Sequence, residues 1–414
     1  MVTNKEQNKL NVPHLRFPEF HGEWEKCKVS DLLDFYSTNS LSWDQLEYGT
    51  DNLLNLHYGL IHVGLPTMVD LSKDILPAIK KKNEPKNFEL CKEGDIAFAD
   101  ASEDTNEVAK AIEFYTLEDK AVVCGLHTIH GRDKSNKTVV GYKGYAFSST
   151  AFHHQIRRIA QGTKIYSISA KNFAECYIGI PSKEEQTKIA KLLRLIDERI
   201  ATQSKLIEDL KKLKSAIIDY AINSLDTDFA KFGSLYEMAG EGGTPTTSNA
   251  SFYDNGKIPF VKIDDLKKKY LTENNDFITE LGLQKSSAWL VPTRSILFSN
   301  GATIGEITIT TYPVCTKQGI LGIVPKPNID VEFLYYFMSS SYFKKAVSRI
   351  VTEGTMKTVY LKDINNIRCP IPTKEKQLDI AKMPSALNFK IDFEQSILKL
   401  FDSQKQYLLR QMFM

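Results

Sequence analysis

The sequence predicts an α+β chain built twice: two repeated globular modules, separated by two long helices that pair as an antiparallel coiled coil. Three observations predict it. The phrase Ile-Pro-Ser-Lys-Glu-Glu-Gln-Thr-Lys-Ile-Ala-Lys starts at Ile180 and returns 191 positions later, from Ile371, as Ile-Pro-Thr-Lys-Glu-Lys-Gln-Leu-Asp-Ile-Ala-Lys, a repeat at domain scale. Short β-rich runs broken by Gly, Pro, Asn and Asp precede each copy. Apolar residues at sevenfold spacing follow each copy.

The repeat extends backwards from the shared phrase. Tyr145–Ile159 lies over Tyr336–Ile350 at the same offset, and Gly162-Thr163 lies over Gly354-Thr355 with one residue gained. Gly94–Ser102 (GDIAFADAS) faces Arg294–Ala302 (RSILFSNGA), and Val29–Phe35 faces Phe232–Met238. Boundaries follow: an N-terminal segment at 1–22, a first module at 23–181, a helical spacer at 182–224, a second module at 225–372 and a second spacer at 373–414.

The first spacer starts at Pro181, which disfavours helix in the residue before it. Ser182 and Glu185 then spell a capping box. Ile189, Ile196, Gln203, Leu210 and Ile217 recur every seven residues, with Leu193, Ile200, Ile207, Lys214 and Ala221 four further on. Such a stripe is a coiled-coil seam and needs an equally long partner. The second spacer supplies it: Thr373 caps, and Ile380, Leu387, Ile391, Leu398, Phe401, Leu408 and Met412 form the matching seam. Pro384 is expected to kink this helix or restart it near Ser385.

At 414 residues, two or three domains fit the length. No apolar run approaches the roughly 20 residues of a membrane span, and the polar start MVTNKEQNKL lacks the apolar core of a signal peptide. Six scattered cysteines without a C-x-x-C pair suit a reducing cytoplasm. A net charge of +2 gives no overall basic excess for nucleic acid. Local patches remain: Ile79–Lys86, His153–Arg158, Asp264–Tyr270 and Phe343–Arg349, each of which also reads as a solvated face.

Catalytic patterns are absent. The sequence holds no phosphate-binding G-x-x-x-x-G-K-[ST] and no dinucleotide-type glycine turn. Nor does it hold the D/N-P-P-Y/F/W tetrapeptide of amino-methylating DNA methyltransferases. Gly240–Pro245 (GEGGTP) reads as a backbone-shaping loop. Cys124, His127 and His130 stand three apart, but on a strand that spacing puts neighbours on opposite faces, so no metal site is expected.

Taken together, the duplicated IP[S/T]KE-x-Q entries, the long helix after each and the Gly-Thr before each resemble the specificity subunits of type I restriction–modification systems. Gly242–Leu266 looks like the common opening of that family's target-recognition domain, and GDIAFADASED with GLHTI resembles another lineage of it. The start Leu15–Leu33 is also similar to the family. The resemblance implies two target-recognition domains, each reading half of a split, asymmetric DNA site, with the helices as ruler and docking surface. It implies a non-catalytic chain whose partners are double-stranded DNA, two methyltransferase subunits and, in the restricting complex, two restriction/translocase subunits. S-adenosylmethionine, ATP and Mg would belong to those partners, with no cofactor on this chain.

DNA contacts are expected from loop polar groups: Ser102, His127, Thr128, Arg132 and Thr163 in the first module, and Ser299, Asn300, Thr303, Lys317, Gln318 and Thr355 in the second. The competing reading is a coiled-coil interaction protein without direct DNA reading.

Overall fold

The computed structural model describes residues 11–50, 52–301, 303–352 and 357–414. The chain divides into two compact units, 1–202 with 398–414, and 203–397. Each therefore holds one globular module and part of both long helices.

In the first unit a five-stranded sheet runs in the order Leu33–Tyr36, Thr128–Asp133, Ile96–Ala99, Ala111–Thr116, Met68–Asp70. A four-stranded sheet joins Val122–Cys124, Leu54–Leu56, Ala78–Ile79 and Leu46–Glu47. Burial explains the composition of the central strand: Ile96, Ala97, Phe98 and Ala99 are all buried, so it reads as a continuous apolar run rather than an alternation. Phe98 packs edge-on against Phe147 and Phe173, helix residues that cover the sheet.

The second unit repeats this plan. Its five-stranded sheet runs Tyr236–Glu241, Ile320–Pro325, Ile296–Ser299, Ile307–Thr310, Tyr270–Leu271. A three-stranded sheet joins Asp276–Ile278, Ile258–Val261 and Cys315–Thr316. Corresponding strands keep corresponding registers: Ala97 faces His130, and Leu297 faces Gly322. Gly94 and Arg294 both take left-handed backbone, at φ 83° and 59°, in the turn before the central strand.

The two ends of each module meet. Glu25–Lys28 pairs antiparallel with Tyr177–Ile180, and Phe229–Lys231 pairs antiparallel with Arg368–Pro370. Each exit strand then runs straight into a long helix.

The first long helix spans Lys183–Asn223 and the second Lys374–Gln411. Ser182 accepts the Glu185 N–H at 3.3 Å. The expected capping box closes only by half, because the Glu185 carboxylate receives two bonds from Arg16, each 2.7 Å. The second helix does not restart near Ser385. It continues through Pro384, which sits buried on the seam, leaving only the Ile380 carbonyl without its usual donor.

Within each unit the helices run antiparallel. In the first, Lys405 binds Asp197 at 2.6 Å while Arg199 lies over Phe401. In the second, the Gln203 amide donates to the Glu394 carbonyl at 3.0 Å and Lys214 to Asn388 at 2.9 Å. Ile189, Leu193, Ile196, Ile207, Ile380, Ile391 and Leu408 are buried. Ile200, Leu210, Ile217, Leu387, Leu398 and Phe401 are half-buried. Towards the end of the first helix the buried face shifts by one residue, to Ile218 and Ile222.

Gln186 and Gln377 explain the glutamine of the repeated phrase. Both are buried at the helix start. Gln186 donates to the carbonyls of Pro181 and Lys137 and accepts the Val139 N–H. Gln377 donates to those of Pro372 and Asn328 and accepts the Asp330 N–H. A side chain with both donor and acceptor is required to bridge helix entry and module in this way.

Candidate nucleic-acid interface

Each module carries a loop cluster at one end of its central strand. In the first, Ala101–Ser102 pairs with Tyr166–Ser167, with Ser102 opposite Tyr166, and Gln161 bridges to Ser167. The turn holding Thr163 thus springs from the strand that pairs with Ser102, and Thr163 itself is exposed. In the second, Gly301 and Thr352 both bridge to Thr358. Thr355 lies outside the described residues.

His127 has the strongest local claim. It is half-exposed and holds left-handed backbone at φ 54°. Its Nδ1 lies 3.1 Å from the Asp100 carboxylate, and its carbonyl accepts the Asp100 N–H. The ring also stands edge-on to Tyr58 at 5.2 Å. The second module uses Gly319 at this place: its φ is 89°, and its carbonyl accepts the Asn300 N–H. Glycine takes this backbone freely, whereas histidine is strained there. The first module therefore sustains a cost that its twin avoids, and strain of this kind gathers at functional sites.

In the second module Lys317 and Gln318 are exposed on the turn before Gly319, and Thr303 is exposed on the neighbouring loop. Thr244 Oγ1 accepts the Gln318 N–H, and Glu241 accepts that of Gly319. Gly242 and Gly243 permit this packing. A Cβ on Gly242 would lie 2.2 Å from the Thr316 carbonyl, and one on Gly243 2.4 Å from the Ala288 nitrogen.

Four expected contact residues are turned inward instead. Thr128 is buried and donates to the Gly125 carbonyl at 2.6 Å. Ser299 is buried and donates to the Thr303 carbonyl at 2.5 Å. Asn300 is buried and donates to the Val359 carbonyl at 3.1 Å. Arg132 is spent on Asp95 and Glu89, at 2.8 and 2.7 Å. Each shapes a loop rather than facing outward, because a polar group next to a sheet end must find a partner once buried.

Of the basic patches, Ile79–Lys86 keeps Lys81, Lys82 and Lys86 exposed, and two more survive as helix surfaces. On the helix Thr150–Ile159, His154, Arg157 and Arg158 are exposed, and Arg157 reaches Asn106 at 3.1 Å. On the helix Ser341–Ser348 and its end, Lys344, Lys345 and Arg349 are exposed, with Lys345 and Arg349 at the positions that match His154 and Arg158. The patch Asp264–Tyr270 is different: Lys269 is buried and paired with Glu332 at 2.8 Å.

Comparison with known proteins agrees with this double plan. The family described as "Type I restriction modification DNA specificity domain" matches residues 115–212 and 226–400, more than half of the sequence, and the chain belongs to that family. Its similarity to a Methanocaldococcus jannaschii protein, "Putative type I restriction enzyme MjaX specificity subunit", is 22% identity over 98% of this chain and 95% of that one. A second protein of that organism, the "Type I restriction enzyme MjaIX specificity subunit", is 24% identical over 65% of each chain. The Escherichia coli "EcoR124I/EcoR124II specificity subunit" is 23% identical, over 51% of this chain and 55% of the relative. This chain thus spans less than two thirds of two of these relatives. The fold matches the crystal structure of a type I restriction–modification S subunit from M. genitalium, with TM-score 0.54 and 17% identity over 97% and 99% of the two chains.

Proposed function

We propose that this chain is the sequence-reading, non-catalytic subunit of a type I restriction–modification complex, and that it recognises a bipartite, asymmetric DNA target. One observation carries the reading: two modules keep the same strand registers and loop framework yet differ in the side chains at the loop tips. His127 stands where Gly319 stands, and Gly125 where Lys317 stands, by their shared main-chain bonds to Asp100 or Asn300 and to Leu56 or Val261. Equal scaffolds with unequal tips suit two half-sites of unequal sequence. Exposed Arg157, Arg158, Lys344, Lys345 and Arg349 would bind phosphates, and His127, Thr163, Thr303, Lys317 and Gln318 would reach base edges.

Outside the seam the long helices carry a second apolar stripe. Leu206, Leu213 and Tyr220 are exposed at sevenfold spacing, as are Phe393, Leu400 and Tyr407. Stripes of this kind seek helical partners, and two methyltransferase subunits would dock there, with restriction subunits joining through them. S-adenosylmethionine, ATP and Mg would be held by those subunits, in the cytoplasm.

Mapping DNA methylation in cells that hold the methyltransferase partner, with and without this chain, tests the reading. Methylation at a split site is expected only when the chain is present. An unchanged methylation map, with the partner expressed and folded, overturns it.

A further inference from the structure

We propose that Cys91, Cys124 and His130 form a buried site for a zinc-like divalent ion in the first module. The sulfurs of Cys91 and Cys124 lie 3.6 Å apart. These and a ring nitrogen of His130 all fall within 4.8 Å of one another, and all three residues are buried. Tetrahedral zinc with bonds of about 2.3 Å to sulfur would hold two thiolates about 3.8 Å apart. The sequence lines up Cys124, His127 and His130, but His127 turns outward to Asp100, and Cys91 takes its place.

The histidine is prepared for this role. Nε2 of His130 bonds Asp95 at 2.8 Å, and Asp95 is held in turn by two 2.8 Å bonds from Arg132. The nitrogen left for a metal is Nδ1, which is buried and has no hydrogen-bond partner. A carboxylate that fixes the far nitrogen of a histidine is the usual support of a metal-binding imidazole. Without an ion, the buried Nδ1 is an uncompensated polar atom.

Charge selects the class of ion. Two thiolates cancel a dication, and a neutral imidazole adds nothing, so the filled site carries no net charge. The apolar cluster around Cys91 and Cys124, with Leu54, Leu56 and Phe114, tolerates such a site. A monovalent ion would leave one uncompensated negative charge there. Two thiol protons pass to solvent as the ion enters, and the fourth tetrahedral position falls to a small ligand such as water.

The second module is an internal control. Cys91 donates its N–H to Val122, and Val291 to Val314. Gly125 donates to Leu56, and Lys317 to Val261, which sets Cys124 over Thr316. His130 faces Ala97, and Gly322 faces Leu297. The three ligands thus correspond to Val291, Thr316 and Gly322. Space above Gly322 is filled by Trp289 and Val291, since a Cβ there would lie 2.7 Å from the indole ring. The scaffold closes with apolar packing at this place, so it does not itself require cysteine or histidine. A metal clasp in the first module would pin the loop between Cys124 and His130, the loop that presents His127.

The test uses the untagged full-length chain, purified without chelator and desalted, with zinc measured by mass spectrometry. About one zinc per chain is expected, and exchange into cobalt should give thiolate-to-cobalt charge-transfer bands with tetrahedral d–d bands. The double variant Cys91→Val/Cys124→Thr, which installs the second module's own residues, should keep native circular dichroism and lose at least tenfold in bound zinc. Cys91→Ser alone should lose zinc to a similar extent. The proposal is overturned if the reduced, zinc-reconstituted chain retains no ion. Equal retention by the double variant, or a Cys91–Cys124 disulfide in the purified chain, overturns it as well.

Discussion

Gln186 and Gln377, 191 positions apart, make the same three hydrogen bonds in the two modules: two donated to main-chain carbonyls and one accepted from a main-chain N–H. Each replaces main-chain pairing at the point where a module hands over to its helix. Replacing either by alanine leaves two carbonyls and one N–H unpaired in a buried place, at a cost of about 1–3 kcal/mol. Gln186→Glu should cost nearly as much, because a carboxylate accepts but cannot donate. Urea unfolding of each variant checks this, and a midpoint unchanged from the parent would refute it.

Ile196 is buried in the same apolar cluster as Leu408, Leu409 and Met412 of the second helix, so Ile196→Lys places an ammonium in that core. Destabilisation of about 3–5 kcal/mol is expected, on the scale of a large core truncation. Assembly with the methyltransferase should weaken in the same variant. Thermal melting together with size-exclusion of the mixed subunits measures both, and a variant that melts and assembles like the parent removes Ile196 from the interface.

Acid sensitivity is expected from Glu332. Burial alone would raise its carboxyl. The Lys269 ammonium, with the hydroxyls of Ser385 and Tyr270, outweighs burial and holds it below the usual carboxylate range. The native state therefore binds this proton less tightly than the unfolded chain does. The ionised group contributes its full stability above about pH 4.3, and the contribution disappears as pH falls through the lower folded value. Glu332→Gln should flatten the acid limb of a stability–pH curve. Glu332→Ala should cost about 3 kcal/mol near neutral pH, because it strands the buried Lys269. An acid limb of the same slope in Glu332→Gln would show that another carboxylate controls it.

Specificity should divide by module. His127→Ala should relax one half-site by about 1–3 kcal/mol per lost base contact, and Lys317→Ala with Gln318→Ala should relax the other. Arg158→Ala or Arg349→Ala should weaken all sequences alike and lower the salt slope by about one unit. Sequencing of methylated sites from each variant, with binding isotherms at several salt concentrations, separates the two outcomes. Loss at both half-sites from His127→Ala would place that residue in the common scaffold.

Much of this fold is legible in the sequence because it is written twice. The heptads from Ile189 and from Ile380 and the offset of 191 follow from pattern alone, whereas the pairing of each module's two ends shows only in the fold. No restart follows Pro384 because a proline costs a helix only one donor and some steric room, and a long packed helix can carry that loss. The contact residues were harder to read. Polarity marks Thr128, Ser299 and Asn300 as loop residues, but only the fold decides whether a hydroxyl or amide faces out or caps a strand end. Cys91 carries no local signal at all, since the turn and central strand that follow it must fold back before it meets Cys124.

The antiparallel ribbons that zip Glu25–Lys28 to Tyr177–Ile180, and Phe229–Lys231 to Arg368–Pro370, have a hereditary consequence. A segment whose two ends meet side by side behaves as a cassette: recombination at those two places swaps the whole insert and leaves the helices in register. On the proposed function, a lineage would acquire a new half of its DNA target in one genetic event, with the helices proposed to dock its methyltransferase partners left unchanged.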